Sequence, residues 1–282
     1  MDSPTYRLHG DDFTADQIAH WFEEERDASV ELSGVDFPFY YRGLNDLHAW
    51  DRIEGRLGTV LAIGCGNGKE LEQIAARVDR FLAVEPAREW WGGNIGSVET
   101  EYREPIPSGS IDLPGGCVDN AVCFGVLHHI PNVSAVLGEI ARVLKPGGRL
   151  FLREPISSMG DATSPRDGLT KNERGLPLPW LRHTTRALGL QSEYEAPCIF
   201  PGTAIIATRL GVEGPFNRRW IATLDALACR LLAWNIRYEP EPVQQDCAGR
   251  CGHDPAKALA GIEGGTEGAA ARMWVVSRPA QC

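Results

Sequence analysis

Short strand-forming runs recur along the chain at 59–63, 80–84, 97–103, 119–125, 148–154, 191–197 and 271–277, several of them β-branched and bounded by glycine or polar residues. Each predicts a strand. Between them, residues 68–78, 87–95, 133–144 and 179–188 carry helical spacing of apolar positions. Strands that alternate with helices in this way are built from βαβ units, which require parallel pairing and right-handed crossovers. The pattern therefore predicts an α/β protein with a seven-stranded, mostly parallel, doubly wound sheet.

Two segments flank or interrupt this alternation. Residues 1–50 are acidic and aromatic, with Trp21, Phe22, Phe37, Phe39, Tyr40, Tyr41 and Trp50 at helical and loop spacings ahead of the first strand. They are expected to form an N-terminal helical cap, or helices packed on the sheet. Residues 51–200 and 271–282 are expected to form the core, with 201–270 inserted before the last strand. Within that insertion Trp220, Leu224, Leu227, Leu231 and Trp234 make one apolar stripe at helical spacing. Packing of the stripe against the body is the first expectation; a homodimer interface, a substrate cap and a membrane surface are the others. Arg219, Asp225 and Arg230 interrupt it, so it does not reach the ~20 apolar residues of a membrane span and no stable membrane insertion is expected. A second long segment, Pro155 to Pro179, is polar and rich in Gly, Pro and Ser. It leaves the carboxyl end of the fifth predicted strand, where ligands bind in doubly wound sheets, and is expected to be an active-site loop.

The strand ends carry the candidate chemistry. Thr59 to Glu70, TVLAIGCGNGKE, is an apolar run that breaks into Gly64-x-Gly66-x-Gly68 and then into helix-forming residues. Glycines there let backbone amides approach a ligand, and the following helix start offers unpaired N–H groups. The second run, RFLAVEP, ends at Glu85 and Pro86, about 20 residues past the first glycine, where an acid can accept both hydroxyls of a ribose. A nicotinamide site would need G-x-G-x-x-G; here the third glycine comes one residue early. The fourth run leads into Phe124, Gly125 and then Leu127-His128-His129, and the fifth ends in Arg153-Glu154. The histidines either satisfy a loop or do acid–base work, and Arg153 and Glu154 form a structural pair or face a substrate.

Taken together, the glycine loop, Glu85, Leu113-Pro114, Val126-Leu127-His128-His129 and Arg142-Val143-Leu144-Lys145-Pro146-Gly147-Gly148 closely resemble the class I S-adenosylmethionine-dependent methyltransferases. The resemblance spans about residues 59–155. It implies the class I fold with an antiparallel last strand, and S-adenosyl-L-methionine as cofactor with S-adenosyl-L-homocysteine as product. Cofactor contacts are then expected from Gly64, Cys65, Gly66, Gly68, Glu85, Pro86, the backbone of Ser110 and Ile111, Phe124 and Gly125. The family's usual adenine-binding acid would fall near Gly109, with Asp112 displaced beside the Leu. His129 is the candidate base, and Tyr41, His128 and Glu154 are candidate substrate contacts. Metal-dependent catechol-type members carry an Asp-Asn pair at a strand's end, whereas Asp119-Asn120 opens the fourth strand here, so no metal is expected.

Composition narrows the substrate. A formal net charge of −10 argues against a phosphate backbone, which needs a basic face, and Leu127 to Pro131 stands where nucleobase-modifying members carry an Asn/Asp-Pro-Pro-aromatic run. No nucleic acid partner is expected. The start, MDSPTYRLHG, has neither a basic n-region nor an apolar h-region, so the expected location is cytoplasmic. The eight cysteines suggest no disulfide framework, although Cys247-x3-Cys251-x-His253 has three potential zinc ligands. The expected function is methyl transfer to a small molecule, first at a hydroxyl oxygen of a metabolite or sugar precursor. Transfer to carbon or nitrogen, or an inactive cofactor-binding scaffold, are the alternatives.

Overall fold

A computed structural model describes residues 8–32, 41–156, 170, 172–232 and 271–280. The chain opens with α1 (Ala15–Leu32) and α2 (Arg42–His48), then alternates β1 (Gly58–Ile63), β2 (Val78–Val84), β3 (Asn94–Ile95), β4 (Val98–Arg103), β5 (Val118–Phe124), α3 (Val133–Val143), β6 (Leu144–Pro155), α4 (Leu178–Ala187) and β7 (Gln191–Cys198). It closes with α5 (Pro201–Arg209), α6 (Arg219–Leu232) and β8 (Ala271–Ser277). One sheet has the order β3-β4-β2-β1-β5-β6-β8-β7. β1 runs parallel to β2 and β5, and β8 is antiparallel to both β6 and β7. Among the described residues the sheet has eight strands rather than seven, because Asn94-Ile95 turns back antiparallel onto β4.

That extra strand replaces an expected helix. Helical structure in residues 87–95 is limited to a single 3-10 turn, Arg88–Trp90, because Gly92-Gly93 follows and Gly93 takes φ +79°. The expected helix after the glycine loop is a 3-10 helix, Lys69–Arg77. Its contacts repeat every three residues, as an eclipsed 3-10 surface requires. Leu71 and Ile74 are buried, while Glu70 and Gln73 both hydrogen bond to α2, at Asn45 and Asp46.

The order of the strands reverses at β1, so the carboxyl ends of β1 and β5 flank the crevice where a ligand is expected in such sheets. Apolar side chains fill both faces. Leu137, Ile140, Leu150 and Leu152 lie on the α3 side, and Leu44, Trp50, Phe81 and Phe151 on the α2 side. A capping box starts α1: Thr14 N–H donates to Gln17 Oε1 at 2.9 Å and Gln17 N–H to Thr14 Oγ1 at 3.4 Å. It sets the phase that buries Ile18, Trp21 and Glu25 on one face.

The stripe on α6 points the other way from the first expectation. Trp220, Leu224, Leu227 and Leu231 are more than half exposed, and the helix packs inward with Ile221, Ala222, Asp225 and Cys229. Asp225 decides this phase: its carboxylate accepts the N–H groups of Ile199 at 2.7 Å and Phe200 at 2.8 Å, at the start of α5. Trp234, most of the Pro155–Pro179 loop, and Cys247, Cys251 and His253 lie outside the described residues. Among the described residues, no helix is long and apolar enough to cross a membrane, and Cys65, Cys117, Cys123, Cys198 and Cys229 are free thiols.

Candidate active site

The glycine loop joins β1 to the Lys69–Arg77 helix, and two of its glycines are fixed by close neighbours. Gly64 has φ +57°, and a Cβ there would lie 2.5 Å from a methyl of Val126, which precedes the Leu127–His129 turn. Gly66 has φ +52°, and its Cβ would lie 2.5 Å from the indole ring of Trp90. The loop therefore touches both the histidine turn and the segment after Glu85.

Glu85, at the end of β2, is buried and bridges these parts. Its carboxylate accepts Gly66 N–H at 2.8 Å and Ala87 N–H at 2.9 Å. Burial raises its pKa, and the two N–H groups oppose that rise without cancelling it. A carboxylate has about four acceptor positions, so two remain for other donors. Beyond it, a cleft of about 380 Å³ is lined by residues including Val84, Arg88, Trp91, Tyr102, Ser110 and Ile111. Trp91 and Tyr102 stack in it with centroids 5.5 Å apart. The Ile111 amide donates to Glu139 Oε2 at 2.8 Å and its carbonyl accepts from Arg142, while the Ser110 amide donates to Ser108 Oγ at 3.4 Å. Asp112 lies on the exposed rim beside Arg103. A glycine cradle, a bridging carboxylate and an aromatic cleft fit an adenosine cofactor, for which Gly64, Gly66, Glu85 and Ser110 are the candidate contacts. The Trp90 ring lies against Gly66.

The Leu127–His129 turn is held by Glu154, which is fully buried and accepts the N–H groups of Val126 and Leu127, each at 2.9 Å. The same carboxylate meets His128 Nδ1 at 2.8 Å, while Glu173 Oε1 lies 3.4 Å from His128 Nε2. Burial by itself would lower the His128 pKa; the hydrogen bonds and charges of Glu154 and Glu173 outweigh it and push the value up to about 9. Glu173 would be raised by burial, but His129 first and then His128 bring it down to about 2. The His129 ring lies tilted against that of His128, centroids 4.0 Å apart, and its Nδ1 meets Glu25 Oε2 of α1 at 2.9 Å. Trp21 Nε1, one helical turn before Glu25, donates to the His129 carbonyl at 2.7 Å.

Arg153 and Glu154 do not pair, because adjacent strand residues point to opposite faces. Arg153 instead meets Asn45 Oδ1 at 2.6 Å and Glu70 Oε1 at 2.7 Å, and lies over the rings of Tyr41 and Phe124. Tyr41 is thus placed with Arg153, while His128 and Glu154 form the opposite side. Pro86 and Cys65 are half-buried beside the loop, and Gly125, at φ +66°, opens the way into the histidine turn. Glu25, Glu173, Glu70 and Asn45 were not among the residues expected at the site. Glu173 does lie in the loop singled out by its length, but nothing in the spacing of α1 marks Glu25.

Residues 61–152 match the family model described as a methyltransferase domain. The ubiquinone biosynthesis O-methyltransferase of Xanthomonas oryzae pv. oryzae is 34% identical over 111 residues, covering 36% of this chain and 46% of that enzyme. The protein of the same description from Dechloromonas aromatica is 32% identical over 98 residues, 33% of this chain and 42% of its own. The chain thus spans less than half the length of these curated relatives. Among solved structures, the 1,6-didemethyltoxoflavin-N1-methyltransferase of Burkholderia thailandensis, with 1,6-didemethyltoxoflavin and S-adenosylhomocysteine bound, aligns over 99% of this chain and 93% of its own with a TM-score of 0.54 and 15% identity. The [4+2]-cyclase SpnF aligns over 84% and 80%, with a TM-score of 0.52 and 18% identity. At such identities the likeness is one of fold, and a methyltransferase and a cyclase share it.

Proposed function

We propose that this chain, which belongs to the class I S-adenosylmethionine-dependent methyltransferases, transfers a methyl group to a hydroxyl oxygen of a small-molecule metabolite or sugar precursor. When bound, the cofactor supplies an electrophilic methyl group on a sulfonium. The observation that carries the reading is the contact between the two halves of the site: Val126, which leads into the histidine turn, packs against Gly64 of the cofactor loop. Proton-accepting groups are thereby set beside the place where the cofactor is expected. A hydroxyl acceptor benefits from such groups, because its proton has to leave as the new O–C bond forms. His129 is the residue assigned to proton removal. Glu25 holds its Nδ1, which leaves Nε2 as the position open to an acceptor, and about a third of its side chain is exposed. His128, enclosed by Glu154 and Glu173, orients the turn. The O-methyltransferase names of the partial-length relatives support an oxygen acceptor.

The test is mass spectrometry of a cell extract incubated with the enzyme and methyl-labelled S-adenosylmethionine. A labelled methyl ether is the expected product. Label on carbon or nitrogen would reassign the acceptor. Binding of S-adenosylhomocysteine without turnover on any fraction would favour a cofactor-binding scaffold. In the active enzyme, His129→Ala is expected to lower turnover by about 10²- to 10⁴-fold while leaving cofactor affinity nearly intact.

A further inference from the structure

We propose that His128, His129 and Glu173 bind a divalent transition-metal ion, zinc in the first instance, at the acceptor side of the site. One donor atom from each residue lies within 4.8 Å of the others, and the three come from a 3-10 turn and a distant loop. The first support is the state of the two rings. Each histidine has its Nδ1 engaged by a carboxylate, His128 by Glu154 at 2.8 Å and His129 by Glu25 at 2.9 Å. Metal-binding histidines are oriented in this way by outer carboxylates, which fix the tautomer and turn the other nitrogen to the ion. Here the Nε2 of His128 is turned to Glu173, the third member of the cluster.

The second support is distance. His128 Nε2 and Glu173 Oε1 are 3.4 Å apart. A charge-assisted hydrogen bond would close to about 2.7–2.9 Å. Two ligands at metal bonds of about 2.0–2.1 Å in a tetrahedron are separated by about 3.3–3.4 Å, which is the spacing found. The third is charge. Glu25, Glu154 and Glu173 are all buried around two imidazoles. Among the described residues Arg174, next to Glu173, is a nearby cation, and one arm of its guanidinium is spent on the carbonyls of Ile130 and Pro131. A divalent ion would balance the cluster without protonating either ring.

Two nitrogens and one carboxylate suit zinc, manganese or iron(II) better than magnesium, which prefers an oxygen shell. Three protein ligands also leave a position open, as in catalytic rather than structural sites. The consequence for the reaction rests on the methyl-transfer reading: a divalent ion makes an oxygen acid that it touches more acidic. The acceptor proton then passes to solvent, the oxygen forms the O–C bond, and the C–S electron pair stays on sulfur. His129 would serve proton removal as a ligand, and not by taking the proton itself.

The experiment uses the full, tag-free chain, stripped with chelator and titrated calorimetrically with zinc chloride alone, in parallel with S-adenosylhomocysteine. One equivalent of zinc is expected to bind. Glu173→Gln should weaken zinc by more than 100-fold, and Glu25→Gln, which removes only an outer carboxylate, by about 10- to 100-fold. S-adenosylhomocysteine should bind both variants as it binds wild type, which shows that they are folded. Cobalt(II) in place of zinc should give visible absorption bands that Glu173→Gln abolishes. A wild-type chain that binds S-adenosylhomocysteine but takes up no zinc would overturn the site. So would zinc binding that survives Glu173→Gln, or that vanishes in Cys247→Ser/Cys251→Ser. Failure of methyl transfer would leave the zinc titration unaffected, so the two readings are judged separately.

Discussion

Glu85 and Gly66 are joined by one hydrogen bond, and each predicts a distinct loss. Gly66→Val should abolish S-adenosylhomocysteine binding in calorimetry while circular dichroism still reports a folded chain. The backbone there sits at φ +52°, which a β-branched residue strongly disfavours, and the new Cβ would meet the Trp90 ring. Glu85→Ala should weaken S-adenosylmethionine by roughly 1.5 to 3 kcal/mol through loss of charge-assisted hydrogen bonds. A 2′-deoxyribose analogue separates ribose contact from loop support: wild type should lose more affinity than the variant when the hydroxyl is removed. Equal losses would mean that Glu85 acts only by holding the N–H groups of Gly66 and Ala87.

At the scale of elements, α6 shows how one polar residue sets the phase of a helix. The apolar stripe invites inward packing, yet the fold buries the face that carries Asp225, because that carboxylate satisfies two N–H groups where α5 begins. Ile199, one of the two, has φ +57°, so the junction between β7 and α5 is tightly bent. Asp225→Ala would leave both donors buried without this acceptor and should cost about 2 kcal/mol or more, read from the urea midpoint. By contrast Leu227→Ser, on the exposed face, should change stability by no more than about 0.5 kcal/mol. A large loss there would mean that the stripe is covered in solution.

Across the whole molecule, the N-terminal helices tie distant parts of the sheet together, and one such tie is made by a buried histidine. His48 of α2 lies against Tyr194 of β7, with Nδ1 2.7 Å from the phenolic oxygen. Burial first, and the charge of Arg52 second, lower its pKa from 6.5 to about 4. The folded state therefore favours the neutral ring, and the unfolded chain binds a proton more readily between those values. Its contribution to stability is complete above about pH 6.5 and is lost as the pH falls through about 4. The size is on the order of 3 kcal/mol at most. Denaturation curves at pH 7 and pH 4.5 should converge when His48→Gln replaces wild type; an unchanged pH slope would place the acid sensitivity elsewhere.

Features that depend on neighbours along the chain were legible in the residue order alone. Short strand-forming runs bounded by glycine or polar residues, alternating with helical spacing, placed the strands that became β1, β2, β4, β5, β6, β7 and β8. The glycine loop and Glu85 were legible for the same reason: a turn that brings backbone near a ligand needs glycine within a short span, and the acid follows one βαβ unit later. Tertiary structure decided whatever depends on which surfaces meet. The Lys69–Arg77 segment is a 3-10 helix whose Glu70 and Gln73, three residues apart, both reach α2. The α6 stripe turned outward because Asp225 had to reach two amides at the start of α5. Glu25 and Glu173 joined the histidine turn from 104 residues before His129 and 45 residues after His128. No local period encodes such a meeting; it follows from α1 and the loop after β6 converging on one end of the sheet.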